Sequence, residues 1–266
     1  MKKCVVISDS FKGSLSSEEI CEIAKQSFGK IFPACQLTAI PVADGGEGTV
    51  EALTAGMNGK TEHVSVTGPL RNTVEASYGI IAETKTAIIE MAAAAGITLL
   101  AEKDRNPLYT TTYGVGELIR DAIKKGCRNF IVGIGGSATN DGGVGMLQAL
   151  GYGFLDADGK QVPYGAKGLA LIEKITDDWV VPELKECHFK IACDVANPLC
   201  GEQGCSAVFG PQKGATPSMI AEMDEWLARF AGLTKDKYPE SDKNKAGTGA
   251  AGGLGFAFLS YTDAVL

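Results

Sequence analysis

Apolar positions along the chain fall into short β-branched runs that alternate with stretches of helical period. Cys4, Val5, Val6 and Ile7 form one such run, cut by Ser8 and Asp9, and read as a first strand. A polar loop, Asp9-Ser10-Phe11-Lys12-Gly13-Ser14, leads to Ser16-Ser17-Glu18-Glu19, the spelling of a capping box. A helix is therefore expected, with Ile20, Ile23, Ala24 and Phe28 on one face and Gly29 as its stop. A second unit of the same kind runs from residues 37–42 through Asp44-Gly45-Gly46-Glu47-Gly48 into a short helix that Gly56 closes. Two strand–loop–helix units in succession predict a parallel sheet.

After residue 60 the texture changes to alternating runs, 61–67 and 73–81, around the turn Gly68-Pro69-Leu70-Arg71-Asn72. A second domain is expected to begin here. Val115, Leu118, Ile119, Ala122 and Ile123 follow the helical period up to Gly126, and residues 129–134 read as a strand. Further on, residues 189–193 form a strand that ends at Asp194. Thr216-Pro217 caps a helix carrying Ile220, Met223, Leu227 and Phe230 on one face. A polar loop at 235–245 precedes a glycine-rich stretch, 247–255, and an apolar ending with Leu254, Phe256, Phe258, Leu259, Tyr261, Val265 and Leu266. That ending predicts an element cut off before the sheet it packs on.

Composition narrows the classes. With 266 residues, 45% hydrophobic and 21% charged, the chain has material for two ordinary domains or for one domain inserted in another. A net charge of -7 without clustered Lys and Arg argues against a nucleic-acid partner. The first apolar run is too short for a signal peptide, and residues 246–262 are too weakly apolar to span a bilayer, so a cytoplasmic protein without a membrane partner is expected. Eight cysteines without a C-x-x-C pair read as reduced, mostly buried thiols, and the spacing of Cys187, His188, Cys193, Cys200 and Cys205 fits no ordinary zinc pattern.

Chemistry is expected where strands give way to helices. In Gly133-Ile134-Gly135-Gly136-Ser137-Ala138-Thr139-Asn140-Asp141-Gly142-Gly143, glycines that admit backbone N–H groups to an anion are interleaved with polar side chains, the pattern of a phosphate cradle. Gly59-Lys60-Thr61 ends like a P-loop but has Thr54 where the first glycine belongs and precedes a strand. Gly133-x-Gly135-x-x-Ala138, with Asp156 downstream, also fits the dinucleotide fingerprint and keeps a nicotinamide-dependent oxidoreductase open as an alternative. Lys12, with the hydroxyls and Asp9 around it, suits an anionic substrate or a solvated turn. Asp44 and Glu47 can hold Mg²⁺ or simply complement a helix dipole. Asp194, followed by Asn197-Pro198, is either a general base or the start of an Asx turn.

Taken in order, Ser8-Asp9-Ser10-Phe11-Lys12-Gly13-Ser14-Leu15, Asp44-Gly45-Gly46-Glu47-Gly48-Thr49, Arg105-Asn106-Pro107, the 135–141 loop, Cys193-Asp194-Val195-Ala196-Asn197-Pro198-Leu199 and Val208-Phe209-Gly210-Pro211-Gln212-Lys213-Gly214 resemble the motifs of the type I glycerate kinases. The resemblance implies an α/β fold of two domains: a parallel, doubly wound domain built from N-terminal and normally also C-terminal segments, with a second α/β domain inserted. On this chain the parts are residues 1–60, the inserted 61–245 and a return segment 246–266 toward the first domain, where family members continue further. The implied reaction is phosphorylation of glycerate to phosphoglycerate by ATP and Mg²⁺, and a noncatalytic ligand-binding remnant is the other reading. By the same resemblance Gly135, Gly136, Ser137, Thr139, Asn140, Asp141 and Lys213 bind nucleotide phosphates. Asp194 and Lys12 are catalytic, Ser10, Asp44, Gly45, Gly46 and Arg105 bind substrate, and Asp44 with Glu47 serves the metal.

Overall fold

The computed structural model describes residues 2–9, 11, 14–42 and 48–266. Ser10, Lys12, Asp44, Gly45, Gly46 and Glu47, expected to serve catalysis, substrate or metal, lie outside the described residues. The strands are β1 (Lys2–Ser8), β2 (Cys35–Pro41), β3 (Lys60–Thr67), β4 (Thr73–Ile81), β5 (Thr86–Glu90), β6 (Asn129–Gly133), β7 (Gly153–Leu155), β8 (Lys174–Thr176), β9 (His188–Ala192) and β10 (Asp263–Val265). The helices are α1 (Ser17–Ile31), α2 (Thr49–Gly56), α3 (Ala92–Ala95), α4 (Tyr113–Lys124), α5 (Val144–Ala149), α6 (Ala166–Leu169), α7 (Cys205–Phe209), α8 (Pro217–Lys237) and α9 (Ala250–Tyr261). None is long and apolar enough to cross a membrane among the described residues.

The capping box forms as its spelling requires. Ser16 Oγ accepts from Glu19 N–H and Glu19 returns a carboxylate oxygen to Ser16 N–H, at 3.1 and 2.8 Å, so α1 starts where two orphan donors are satisfied at once. Below it β1 and β2 pair in parallel. Outward-facing Val5, Ile7 and Ile40 are exposed, and no described residue of either strand is fully buried.

The remaining strands build a six-stranded sheet in the order β10-β9-β6-β5-β4-β3. From β10 to β5 neighbours are parallel, while β3 and β4 are an antiparallel hairpin added at one edge. Glu90, Gly133 and Ala192 are register partners across β5, β6 and β9, so the loops that leave these strands start at one level of one edge. One face of the sheet carries the main core. There α4 inserts Val115, Leu118, Ile119 and Ala122, α5 adds Met146 and Leu147, and α8 adds Met223, Leu227 and Phe230. On the opposite face α2 lays Val50 and Leu53 against Ile81, Ile88 and Ile131.

Residues 247–258 and Tyr261 are buried in this core, while Val265 and Leu266 are exposed. Leu254, Phe256, Ala257 and Phe258 are fully buried, and β10 pairs with β9 at the edge of the six-stranded sheet rather than with β1 or β2. The physical reason is the aromatic cluster that receives them. Phe256 packs edge-on to Phe230 at 5.6 Å, Phe258 meets Phe189 at 5.5 Å, and the hydroxyls of Tyr261 and Thr234 share a hydrogen bond at 2.8 Å.

Candidate active site at the sheet edge

The 135–143 loop follows β6 and is stitched to the segment after β5. Ile97 N–H donates to Gly136 O, Ala138 N–H donates to Ala95 O, and Thr110 Oγ1 donates to Ala138 O. Gly136 stands at φ +71, a left-handed conformation that glycine adopts without strain. Within the loop, Gly135 and Gly136 reach the surface, whereas Ser137 and every residue from Ala138 to Gly143 are buried. The exposed surface of the loop is therefore glycine backbone, and the polar side chains expected to bind phosphates are buried.

Lys213 lies buried beneath the loop and meets it at Ser137 and at the Thr139 backbone. It is 1% exposed, and its ammonium donates to Ser137 Oγ and to Thr139 O, both at 2.7 Å. Burial pulls its pKa down from 10.5 to about 8, with the charges of Cys205 and Asp141 pulling the other way. An ammonium has three donors, and two are used here. Thr139 Oγ1 and Asn140 Oδ1 are buried with no protein partner. Asn140 is held through its amide, which donates to Ser206 Oγ at 2.8 Å.

Asp141 has a different job. Its carboxylate accepts Thr112 N–H and Oγ1–H, Gly143 N–H and Gly145 N–H, which fixes the turn into α5 and joins it to the start of α4. Desolvation holds its pKa above the ordinary carboxylate range, against the opposing pull of these four donors. A carboxylate so committed braces the loop from inside and presents no oxygen to a ligand.

Arg105 comes to the same place from the other side. Gly214, directly after Lys213, packs against the Arg105 carbonyl, and Arg105 Nε is buried with no protein partner. A buried guanidinium nitrogen without an acceptor suits a carboxylate or phosphate oxygen. Asp194 lies two residues past the register partner of Gly133, at the same sheet edge, and is exposed. The structure thus gathers the 135–141 loop, Lys213 and Arg105 and sets Asp194 on the neighbouring strand end. Among the described residues no group of three His, Cys, Asp or Glu side chains is placed to hold a metal ion.

Two features escape a reading of the sequence. Glu90 ends β5 beside Gly133 and accepts Val50 N–H at 2.8 Å, anchoring the first turn of α2; a carboxylate closing the apolar run Ala87-Ile88-Ile89 was its only signal. The second is the packing of the glycine-rich stretch before Leu254, which lies against the 139–143 backbone.

Comparison with known proteins shows the family. The Glycerate kinase family model matches residues 4–266. The chain is 48% identical to glycerate 2-kinase of Escherichia coli (strain K12) over 264 residues, covering 99% of this chain and 69% of that one. With the glycerate kinase of Haemophilus influenzae the identity is 49% over 257 residues, covering 97% and 68%. A crystal structure from Salmonella typhimurium LT2, described as a glycerate kinase 2, superposes with a TM-score of 0.94 at 47% identity, covering 99% of this chain and 70% of that one. The nicotinamide alternative falls away with these matches. Its required helix does not follow Ala138, because α5 starts only at Val144, and Asp156 spends its carboxylate on Asp158 and Lys160 N–H in a tight turn. This chain belongs to the glycerate kinase family.

Proposed function

We propose that the chain transfers the γ-phosphoryl group of ATP to a hydroxyl of glycerate, in the cytoplasm, where its eight free thiols stay reduced. The observation that carries this reading is a lysine ammonium wholly buried under a loop whose surface is glycine backbone. The relatives' names supply the substrate.

In this reading the backbone of Gly135 and Gly136 receives the phosphates, and Lys213 beneath them raises the local positive potential. Arg105 takes the glycerate carboxylate through its unpartnered guanidinium, which leaves the substrate hydroxyl to face Asp194. Asp194 accepts the hydroxyl proton as the oxygen attacks phosphorus in line with the departing ADP oxygen. Lys12 neutralises charge on the transferred group, and Ser10, Gly45 and Gly46 line the substrate side. Asp44 and Glu47 are the candidates to hold Mg²⁺, which supplies charge neutralisation on the phosphate oxygens.

The test is product formation. Purified chain is incubated with ATP, Mg²⁺ and glycerate, and ADP and phosphoglycerate are measured; Asp194→Asn is expected to lower turnover about a hundredfold or more with glycerate affinity retained. Turnover near wild type in that variant removes Asp194 from the role of base.

A further inference from the structure

The stretch Gly247-Thr248-Gly249-Ala250-Ala251-Gly252-Gly253 has no part in the transfer as described so far, yet it touches both loops that carry it. On one side Gly252 O accepts Gly142 N–H at 2.9 Å, and a side-chain carbon at Gly252 would overlap the Thr139 carbonyl and lie 2.6 Å from Asn140 Cα. Thr139 O is the oxygen that receives the Lys213 ammonium. On the other side Gly249 N–H donates to Asn197 O at 2.9 Å, and a side-chain carbon there would overlap Pro198 O and lie 3.1 Å from Asn197 O. Asn197 and Pro198 belong to the loop of Asp194.

The stretch is held in an unusual shape. Ala251, Gly252 and Gly253 are three successive left-handed residues, at φ 52, 66 and 93, a non-helical kink ahead of the core helix. A left-handed alanine is uncommon, and Ala251 is nearly buried, so the surroundings impose the conformation. The root is tied down as well: Thr248 Oγ1 donates to Lys243 O and Lys245 O, and Phe256 N–H donates to Thr248 O at 3.1 Å. Flanked by the core helix Leu254 onward, the segment is a rigid spacer with one loop on each side.

We propose that residues 247–253 are a positioning element for the transfer step, setting the distance between the nucleotide loop at 135–143 and the Asp194 loop through Gly252 and Gly249. The proposal rests on the kinase reading above. Phosphoryl transfer depends on holding nucleophile, phosphorus and base in line, and a displacement of about 1 Å can cost on the order of a hundredfold in rate. The two contacts act on different partners, which makes them separable. A methyl group at position 249 moves the base loop and leaves the nucleotide loop alone. At position 252 it displaces the Lys213 acceptor.

Steady-state kinetics of glycerate phosphorylation on Gly249→Ala, Gly252→Ala, Ala251→Gly and Asp194→Asn, with thermal unfolding of each, tests this. Gly249→Ala is expected to lower kcat about a hundredfold with KM for ATP within about threefold of wild type. Gly252→Ala is expected to raise KM for ATP at least about tenfold as well. A folded Gly249→Ala with wild-type kcat overturns the proposal while leaving the kinase reading intact. If neither glycine variant folds, Ala251→Gly decides: it introduces no clash and frees the spacer, so kcat should fall several-fold at an unchanged Tm, and a wild-type kcat overturns the proposal. Absence of ATP-dependent product from the wild-type chain defeats the kinase reading and the proposal with it.

Discussion

Replacing Lys213 with methionine gives the sharpest reading of the buried site. The native pKa of about 8 lies below the ordinary 10.5, so between these values the unfolded chain holds a proton that the native protein has released. Stability must then rise with pH across that window, because its slope follows the protons bound unfolded minus those bound native. Below about pH 8 both states are charged, and the full cost of burying the ammonium is present. The relief amounts to about 1.4 kcal/mol by pH 9 and about 2.6 kcal/mol by pH 10. Cys205, a titrating neighbour, is pushed up to about 11 by burial and stays a thiol through pH 9. Urea unfolding of wild type and Lys213→Met at pH 7, 8 and 9 isolates the effect, since other groups cancel in the difference. The wild-type protein should gain on the variant by about 1.4 kcal/mol from pH 7 to 9. ATP affinity should move the opposite way in wild type, falling up to about tenfold as the ammonium neutralises, and should be weak and flat with pH in the variant. A difference in stability that does not change with pH would refute the argument that a solvent-free ammonium sits there.

Gly136→Val places a branched side chain at φ +71 on the loop surface, and nucleotide affinity measured by calorimetry should collapse while unfolding shifts by no more than about 1–2 kcal/mol. Asp141→Asn turns an amide N–H₂ toward the donors of Thr112, Gly143 and Gly145, and denaturant unfolding should show a loss of roughly 2–4 kcal/mol. Unchanged stability would mean that Asp141 does not brace the turn. Limited trypsin digestion should cut at Lys3, Lys25 and Lys30 well before any site in the six-stranded sheet, and equal rates would contradict the burial pattern.

What could be read beforehand was local. The capping box at Ser16, the Thr216-Pro217 start of α8, the hairpin around Gly68 and the strand ending at Gly133 all rest on neighbours in sequence, where spacing alone decides. The 135–141 loop was legible for the same reason. Which way its side chains point was not, because Lys213, which meets Ser137, sits 76 residues away along the chain. Asp141 likewise looked like a ligand group, since nothing in its own motif shows that Thr112 supplies the donors. The left-handed run at 251–253 is hidden for a further reason. Alanine and glycine give little sign of handedness, and the backbone of 139–143 imposes it.

The half-exposed pair β1 and β2 has its own consequence for how the chain unfolds. Val5 and Ile7 are 57% and 63% exposed, while the sheet that carries Glu90, Gly133 and Ala192 is filled on its core face by residues with no exposure at all. Two bodies with such unequal burial do not melt as one. The strands that support Asp9 should exchange their amides at a free energy well below that of the core, so a single transition temperature will report the large sheet and stay silent about the small one. Any variant that alters the first 42 residues therefore has to be judged by amide exchange at those strands, where a change of a few kcal/mol leaves the bulk melting curve untouched.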